Sequence, residues 1–115
     1  MSVTILHNSR CSKSRQTLAL LKERGVDPQI VEYLDRPPTT AELKAILEKL
    51  GLGPRDIIRK GEKVYKELEL SDASLPDNAL ITAMVEHPIL IERPIVVKGD
   101  KAAVGRPPES VLEIL

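Results

Sequence analysis

A strand, a helix and a second strand are predicted one after another near the start of the chain. Ser2–Leu6 is short and β-branched, which is typical of a strand. Ser12–Arg24 has leucines on one face and is followed by Gly25, a good residue for ending a helix. Gln29–Leu34 is rich in β-branched and aromatic residues and predicts the second strand. Because a helix that joins parallel strands crosses over with a right hand, this pattern predicts a right-handed parallel βαβ unit.

Helices are predicted for the middle of the chain. Thr39 and Glu42 have the spacing of a capping box, and Gly51 ends the helix that they begin. The further segments predicted in this region are a short helix at Asp56–Lys60, a helix or loop at Val64–Leu70, and a helix that Ser74 caps and that ends at His87. Residues from about 39 to about 87 are therefore expected to form a helical insertion.

The chain is predicted to end with a hairpin and a helix. Val96–Val97 is strand-like, and Lys101–Val104 can return as its antiparallel partner across the turn signal Gly99-Asp100. Pro108–Leu115 predicts a terminal helix with proline in its first turn. The order βαβ, helices, ββα indicates one α/β domain over residues 1–115 with a thioredoxin-like arrangement, in which helices flank a mixed four-stranded sheet.

Composition and charge narrow the functional class. The 115 residues include 17 basic and 17 acidic ones, so the chain lacks the basic excess of nucleic-acid binders. Its single cysteine excludes an internal disulfide and a multi-cysteine zinc cluster, and it suits a reducing compartment. The N-terminus has no signal-peptide pattern, and no apolar run reaches membrane-spanning length. We expect a cytoplasmic protein that binds no nucleic acid, membrane or metal, and a monomer because no apolar stripe is left unassigned.

Cys11 is placed where the first strand gives way to the first helix. Free backbone N–H groups and the helix dipole favour negative charge at a helix N-terminus, so a cysteine there tends to ionise. Arg10 and Lys13 flank the thiol and act in the same direction. Nucleotide loops, phosphate loops and metal-ligand patterns are absent from the sequence. The sequence therefore predicts a reactive thiolate and single-thiol chemistry.

Pro94 stands at the entry to a strand, where its missing N–H cannot contribute to the sheet. In thioredoxin-like folds a cis proline at this point faces the active cysteine. The trans state is the commoner one for an X–Pro bond, but the fold favours cis. We predict a cis Arg93–Pro94 bond opposite Cys11.

Several arginines are candidates for holding an anion near the thiol. They are Arg15, one helical turn after Cys11, Arg59 in the insertion, Arg93 beside Pro94, and Arg106 after the last strand. Guanidinium groups that converge on a thiolate would form an oxyanion site, because their forked donors match tetrahedral oxyanions. Each could equally be a solvated surface residue, and spacing alone does not single out Arg59 or Arg106.

His7, Asn8 and Ser14 lie close to Cys11 in the sequence. A cationic His7 would lower the pKa of the thiol, or the ring could simply bond the loop backbone. Asn8 could fix the turn by bonding its own backbone. Ser14 occupies the second cysteine position of a Cys-x-x-Cys pattern, where its hydroxyl could donate to the thiolate or lie exposed in the first helical turn.

One set of motifs runs through nearly the whole chain. It consists of His7-Asn8-x-x-Cys11-x-x-Ser14-Arg15-x-Thr17, Asp56–Arg59 with Tyr65–Leu68, His87–Val97, and Gly105-Arg106-Pro107. This set resembles the glutaredoxin-coupled arsenate reductase (ArsC) family. The chain departs from the family beside the cysteine, where Ser9-Arg10 and Ser12-Lys13 replace the proline-containing pair and the Gly-Thr that such reductases commonly carry.

The resemblance implies an arsenate reductase with glutathione as co-substrate, glutaredoxin as partner and no tightly bound cofactor. The implied residues are Cys11 as nucleophile, His7 and Ser14 as residues that tune its ionisation, Arg59, Arg93 and Arg106 as oxyanion ligands, and Asn8, Arg15 and Pro94 in support. One alternative is a glutathione-dependent thiol reductase with another substrate. Another is a non-enzymatic regulator like the Spx proteins, which resemble the same family but typically use a Cys-x-x-Cys switch that Ser14 removes.

Overall fold

The structure, a computed structural model, describes residues 2–115. The chain divides into two compact units. The first contains the residues up to Arg36 together with Arg93–Leu115, and the second contains Pro37–Glu92. The arrangement of residues 1–115 as one domain, with an insertion at about 39–87, stays a prediction.

The first unit contains a four-stranded mixed sheet, as predicted. Its strands are β1 (Val3–His7), β2 (Gln29–Glu32), β3 (Ile95–Lys98) and β4 (Lys101–Val104), in the order β2-β1-β3-β4. β1 pairs with β2 in parallel and with β3 antiparallel, and β3 pairs antiparallel with β4. This is the thioredoxin-like arrangement, and it confirms the βαβ unit and the hairpin.

Helix α1 (Ser12–Glu23) connects the parallel strands β1 and β2. Its buried Leu21 packs in a core with residues of the sheet and of the C-terminal segment; the other members of this core are Val3, Ile5, Val96 and Val111. Burial of apolar side chains such as these is the main source of folding free energy. The C-terminal segment Pro108–Ile114 is a 3₁₀ helix. Its predicted position is right, while the winding is tighter than that of an α-helix.

The second unit is helical. Its elements are α2 (Thr40–Leu50), α3 (Pro54–Ile57), α4 (Lys63–Glu67), α5 (Asp77–Glu86) and a 3₁₀ helix at Pro88–Leu90. The predicted capping box is present, because Thr39 Oγ1 accepts from the Glu42 N–H at 3.1 Å and Glu42 Oε1 accepts from the Thr39 N–H at 3.0 Å. Gly51 ends α2 in the left-handed conformation that glycine adopts most easily.

Two helix boundaries in this unit differ from the prediction. Ser74 does not cap α5: its N–H and hydroxyl both donate to Asp72 Oδ1 at 2.9 and 2.7 Å, and Pro76 is the N-cap instead. The short helix expected at residues 56–60 begins at Pro54, since Asp56 accepts from the Gly53 N–H at 2.8 Å.

The short helix ends at Ile57, because Ile58 pairs in a β-bridge with Ile91 and leaves the helical conformation. The segment at Val64–Leu70, left open between helix and loop, is helical over α4. Of the helices described within residues 2–115, none combines the length and the apolar character needed to pass through a membrane.

The capping box predicts the effect of one substitution. Thr39→Ala removes the acceptor of the Glu42 N–H, and we expect it to lower the free energy of unfolding by about 0.5–2 kcal/mol. Urea denaturation followed by circular dichroism measures this loss. Thr40→Ala, at an exposed neighbouring position outside the box, serves as the control and should change stability by less than about 0.5 kcal/mol. Equal losses in the two variants would contradict the assignment of the cap.

Candidate active site

Hydrogen bonds of Asn8 shape the turn between β1 and α1. Asn8 Oδ1 accepts from the Arg10 N–H at 3.0 Å, and the Asn8 carbonyl accepts from the Cys11 N–H at 3.0 Å. The side chain thus fixes its own turn, as predicted. Arg15 Nη1 donates to the Ser9 carbonyl at 2.9 Å. Arg15 lies in the first turn of α1 and stabilises the preceding turn of the chain, which sets the position of the thiol.

Cys11 is the N-cap of α1 and is half-buried. Burial by itself would raise the pKa of the thiol, but the backbone N–H of Ser14, the Arg93 guanidinium and the backbone N–H of Lys13 together lower the pKa below its ordinary value. The Cys11 sulfur faces these N–H groups, but the side chain does not form the capping hydrogen bond of a regular helix N-cap. Negative charge on the sulfur is favoured by peptide dipoles and by a cation together.

The structure brings two of the predicted arginines to the thiol. The Arg93 guanidinium interacts with the Cys11 sulfur and with Tyr33; burial alone would lower the Arg93 pKa, but these two partners raise it. Arg106 Nη2 lies 3.6 Å from Cys11 Sγ, and Arg106 Nε donates to the Arg93 carbonyl at 2.8 Å. Arg93 and Arg106 therefore form a pair of cations at one sulfur, as an oxyanion site requires.

The Arg93–Pro94 peptide bond is cis, as predicted. Pro94 is buried, and its carbonyl accepts from the Gly105 N–H at 2.8 Å. The Arg106–Pro107 bond is also cis, a state that no feature of the sequence predicts. Each of the two arginines at the thiol thus precedes a cis proline.

Ser14 and His7 form a buried pair beneath the thiol. Ser14 Oγ lies 2.7 Å from His7 Nδ1 and accepts from the Asn8 N–H at 3.0 Å. Ser14 is fully buried, so the alternative of an exposed serine is wrong. The backbone N–H of Ser14, and not the hydroxyl considered above, interacts with the Cys11 sulfur.

His7 is buried, and the direction in which its pKa is shifted bears on its role beside the thiol. Burial lowers the pKa below its ordinary value; Glu32 opposes this effect, and Arg15 and Lys22 add to it. This environment disfavours the charged form of the imidazole. It therefore does not fit the alternative in which a cationic His7 attracts the thiolate. His7 instead bonds Ser14, whose backbone N–H faces the sulfur.

Arg59 lies in the second unit, where carboxylates hold it. Its Nε lies 3.1 Å from Glu62 Oε2, and its Nη1 lies 2.9 Å from Glu92 Oε1. These ion pairs fix the side chain just after Ile58, which is bridged to Ile91. Participation of Arg59 in the oxyanion site stays a prediction.

Two site residues were not identified from the sequence. Tyr33 is fully buried and contacts Arg93. The one signal in the sequence that could have indicated Tyr33 is the rarity of aromatic residues, of which the chain has only two. Gly105 is closely packed, and only its place before Arg106 could have drawn attention to it, because close packing by residues distant in sequence leaves no local pattern.

Known proteins resemble this chain over nearly its whole length. The family model described as "ArsC family" matches residues 6–114. The chain belongs to the ArsC family. Among curated relatives, an Escherichia coli protein named only as the uncharacterised protein YfgD is 56% identical over 98% of this chain and 96% of its own length. An arsenate reductase of Neisseria meningitidis is 50% identical over 98% of this chain and 97% of its own length.

A solved structure with a similar sequence has the same fold. The arsenate reductase from Vibrio cholerae has a TM-score of 0.97 and 56% identity, with 100% of this chain and 98% of that chain covered. The fold and the family are therefore established by agreement in both sequence and structure.

The contacts of Cys11 in this ArsC-family chain predict how its ionisation responds to substitution. Arg93→Ala removes a cation from the sulfur, so we expect the pKa of Cys11 to rise and the rate of alkylation by iodoacetamide at neutral pH to fall roughly three- to tenfold. Cys11 is the only cysteine, so the alkylation profile against pH reports it alone. Arg36→Ala, an exposed arginine of the same unit, is the matched control. Coinciding profiles for wild type and Arg93→Ala would contradict the contact.

Burial of His7 predicts a loss of stability in mild acid. Its folded-state pKa is lowered, so the unfolded chain binds the additional proton and the stabilising contribution is present above about pH 6.5. That contribution is lost as the pH falls below about 6.5. We expect His7→Gln to flatten the dependence of unfolding free energy on pH in this range. Urea denaturation at several pH values measures both slopes, and equal slopes for wild type and His7→Gln would show the assignment to be wrong.

Proposed function

We propose that this chain is an arsenate reductase in which the Cys11 thiolate attacks arsenate. The observation that carries the proposal is the meeting of a stabilised thiolate with the cations Arg93 and Arg106. A nucleophile and an anion cradle in one place suit attack on a tetrahedral oxyanion. The arsenate reductases from Neisseria meningitidis and Vibrio cholerae that resemble this chain support the choice of oxyanion.

The proposed reaction consumes two thiols for each arsenate. The Cys11 thiolate forms an S–As bond to As(V) and displaces one oxygen as water, for which protons come from the solvent. A glutathione thiolate then attacks the Cys11 sulfur. The S–As bond breaks with its electron pair on arsenic, which leaves as arsenite, As(III), and a mixed disulfide remains on Cys11. Glutaredoxin takes the glutathionyl group and restores the thiolate.

The site residues have distinct roles in this proposal. The N–H of Ser14 and the Arg93 guanidinium hold the thiolate before attack, and Arg93 and Arg106 then bind the arsenate oxygens. Arg59 lies in the second unit, where Glu62 and Glu92 hold its guanidinium. A role for Arg59 in binding arsenate stays a prediction from the family resemblance.

The other residues of the predicted site support the thiol. Asn8 and Arg15 hold the turn that places Cys11, and Pro94 connects Arg93 to Gly105. His7 fixes Ser14, so that the backbone N–H of Ser14 stays directed at the sulfur. In this account His7 tunes the thiol through position and not through charge.

Glutathione and glutaredoxin enter the proposal because the chain has one cysteine. Ser14 stands where a Cys-x-x-Cys protein has its resolving thiol, so a second thiol has to come from another molecule. Such a free thiol is kept reduced in the cytoplasm, where we place the protein as a monomer. The chemistry needs no tightly bound cofactor.

A second candidate function is a glutathione-dependent reductase of mixed disulfides. Arg10 and Lys13 favour it, because both are exposed beside Cys11 and could attract the carboxylates of glutathione. In this reaction Cys11 would accept a glutathionyl group directly, and arsenate would be inert.

The deciding experiment measures NADPH consumption with arsenate, glutathione, glutaredoxin and glutathione reductase. Wild type should show arsenate-dependent turnover that Cys11→Ser abolishes. Arg93→Ala should lower kcat/KM by an amount equivalent to about 2–5 kcal/mol, because a charged partner of the anion is lost, while Arg36→Ala should retain the wild-type value.

Two outcomes would decide against the first proposal. A wild-type rate with arsenate no higher than that of Cys11→Ser would exclude arsenate reduction. Turnover of a glutathione mixed disulfide under the same conditions, with arsenate inert, would select the second candidate.

A further inference from the structure

Gly105 is a point of very close packing in the first unit. A Cβ on this residue would lie 2.6 Å from Thr17 Oγ1, 2.8 Å from Pro94 Cγ and 3.1 Å from Thr17 Cγ2. Distances below about 3 Å are well inside van der Waals contact between such atoms. The backbone conformation does not require glycine here, because Gly105 is not among the residues with positive φ. Glycine is required for space alone.

The atoms around Gly105 belong to segments that supply donors to the Cys11 sulfur. Thr17 lies on α1, and its Oγ1 donates to the Lys13 carbonyl at 2.8 Å, in the turn of helix whose N–H groups face the sulfur. Pro94 follows Arg93, and its carbonyl accepts from the Gly105 N–H at 2.8 Å. The segments that carry the N–H donors and the first guanidinium therefore both contact Gly105.

The second guanidinium is the side chain directly after Gly105. Arg106 Nη2 lies 3.6 Å from Cys11 Sγ, and Arg106 Nε donates to the Arg93 carbonyl. The hydrogen bond from Gly105 to Pro94 and the one from Arg106 to Arg93 run between the same two segments. Gly105 thus takes part in the hydrogen bonding that joins the segment of Arg93 to the segment of Arg106.

We propose that Gly105 is a positioning residue of the active site, where the absence of a side chain sets the distance of Arg93, Arg106 and the start of α1 from the Cys11 sulfur. Thr17 and Pro94 are both buried. Neither neighbour is the mobile end of a long side chain. An added methyl group therefore has to move the helix or the arginine-bearing segments, and hydrogen bonds weaken steeply as their geometry is lost. The proposal rests on the proposed function only in naming arsenate as the anion.

The test replaces Gly105 with alanine and reads the thiol directly. We expect Gly105→Ala to raise the pKa of Cys11 and to reduce alkylation by iodoacetamide at neutral pH about tenfold. Gly61→Ala is the matched control, because a Cβ there meets nothing within 4 Å and Gly61 is exposed. The control should leave the alkylation profile unchanged. A wild-type profile for folded Gly105→Ala would overturn the proposal.

Thr17→Ala separates positioning from general destabilisation. It removes Thr17 Oγ1 and Cγ2 and leaves Pro94 Cγ as the close neighbour of the new methyl group. Gly105→Ala should therefore raise the pKa of Cys11 less in the Thr17→Ala background than in wild type. An equal rise in both backgrounds would contradict the shared contact. If Gly105→Ala alone does not fold, the test compares the double variant with Thr17→Ala. The pKa of Cys11 should be higher in the double variant, and equal pKa values would overturn the proposal.

Alkylation requires neither arsenate nor glutathione, so this test is independent of the reductase assay. A raised pKa in a chain that does not turn over arsenate would support the role of Gly105 while refuting the proposed function. In an active enzyme, Gly105→Ala should also raise the KM for arsenate severalfold, because the arginines that bind the anion are displaced. An unchanged KM with a lowered kcat would count against displacement of the arginines.

Discussion

The site depends on keeping negative charge on one sulfur atom at the start of α1. A half-buried thiol would ordinarily become harder to ionise, so the surrounding donors have to compensate for lost solvation. The Ser14 and Lys13 N–H groups provide part of this compensation, and Arg93 provides the charge. The other features of the first unit can be understood as means of holding these donors at the sulfur.

The positions of the donors come from three separate parts of the chain. The Asn8 turn places Cys11 at the helix N-terminus, the segment before β3 supplies Arg93, and the residue after Gly105 supplies Arg106. Antiparallel pairing of β3 with β1 and of β4 with β3 brings these segments to one end of the sheet. The sheet topology is therefore what joins a local cysteine motif to distant arginines.

Local signals predicted much of this molecule. The β-branched runs, the capping box at Thr39 and the turn at Gly99-Asp100 each involve residues within a few positions of one another, so the sequence was sufficient for them. The start of α5 was predicted wrongly because Asp72 competes locally for the Ser74 donors. The 3₁₀ winding of the last segment could not be read from its proline and apolar residues.

Contacts between distant residues were harder to predict. Cys11, the cis Pro94 and the adjacent Arg93 were predicted from the fold, and Arg106 from the family resemblance. The pairing of His7 with Ser14 joins a strand end to a helix, and the burial that lowers the pKa of His7 has no signature in one residue type. The space at Gly105 is set by Thr17 and Pro94, which come from two other segments of the chain. The chemical groups of the site are thus recognisable in the sequence, while their protonation and spacing depend on contacts that only the fold creates.

Attack of Cys11 on arsenate is tested most directly by a crystal structure of the protein soaked with arsenate at neutral pH, with arsenic located by its anomalous scattering. We expect arsenic bonded to Cys11 Sγ, with its oxygens within hydrogen-bond distance of Arg93 and Arg106. Arsenic bound away from Cys11, or an unmodified thiol with both arginines turned from the anion, would contradict this expectation.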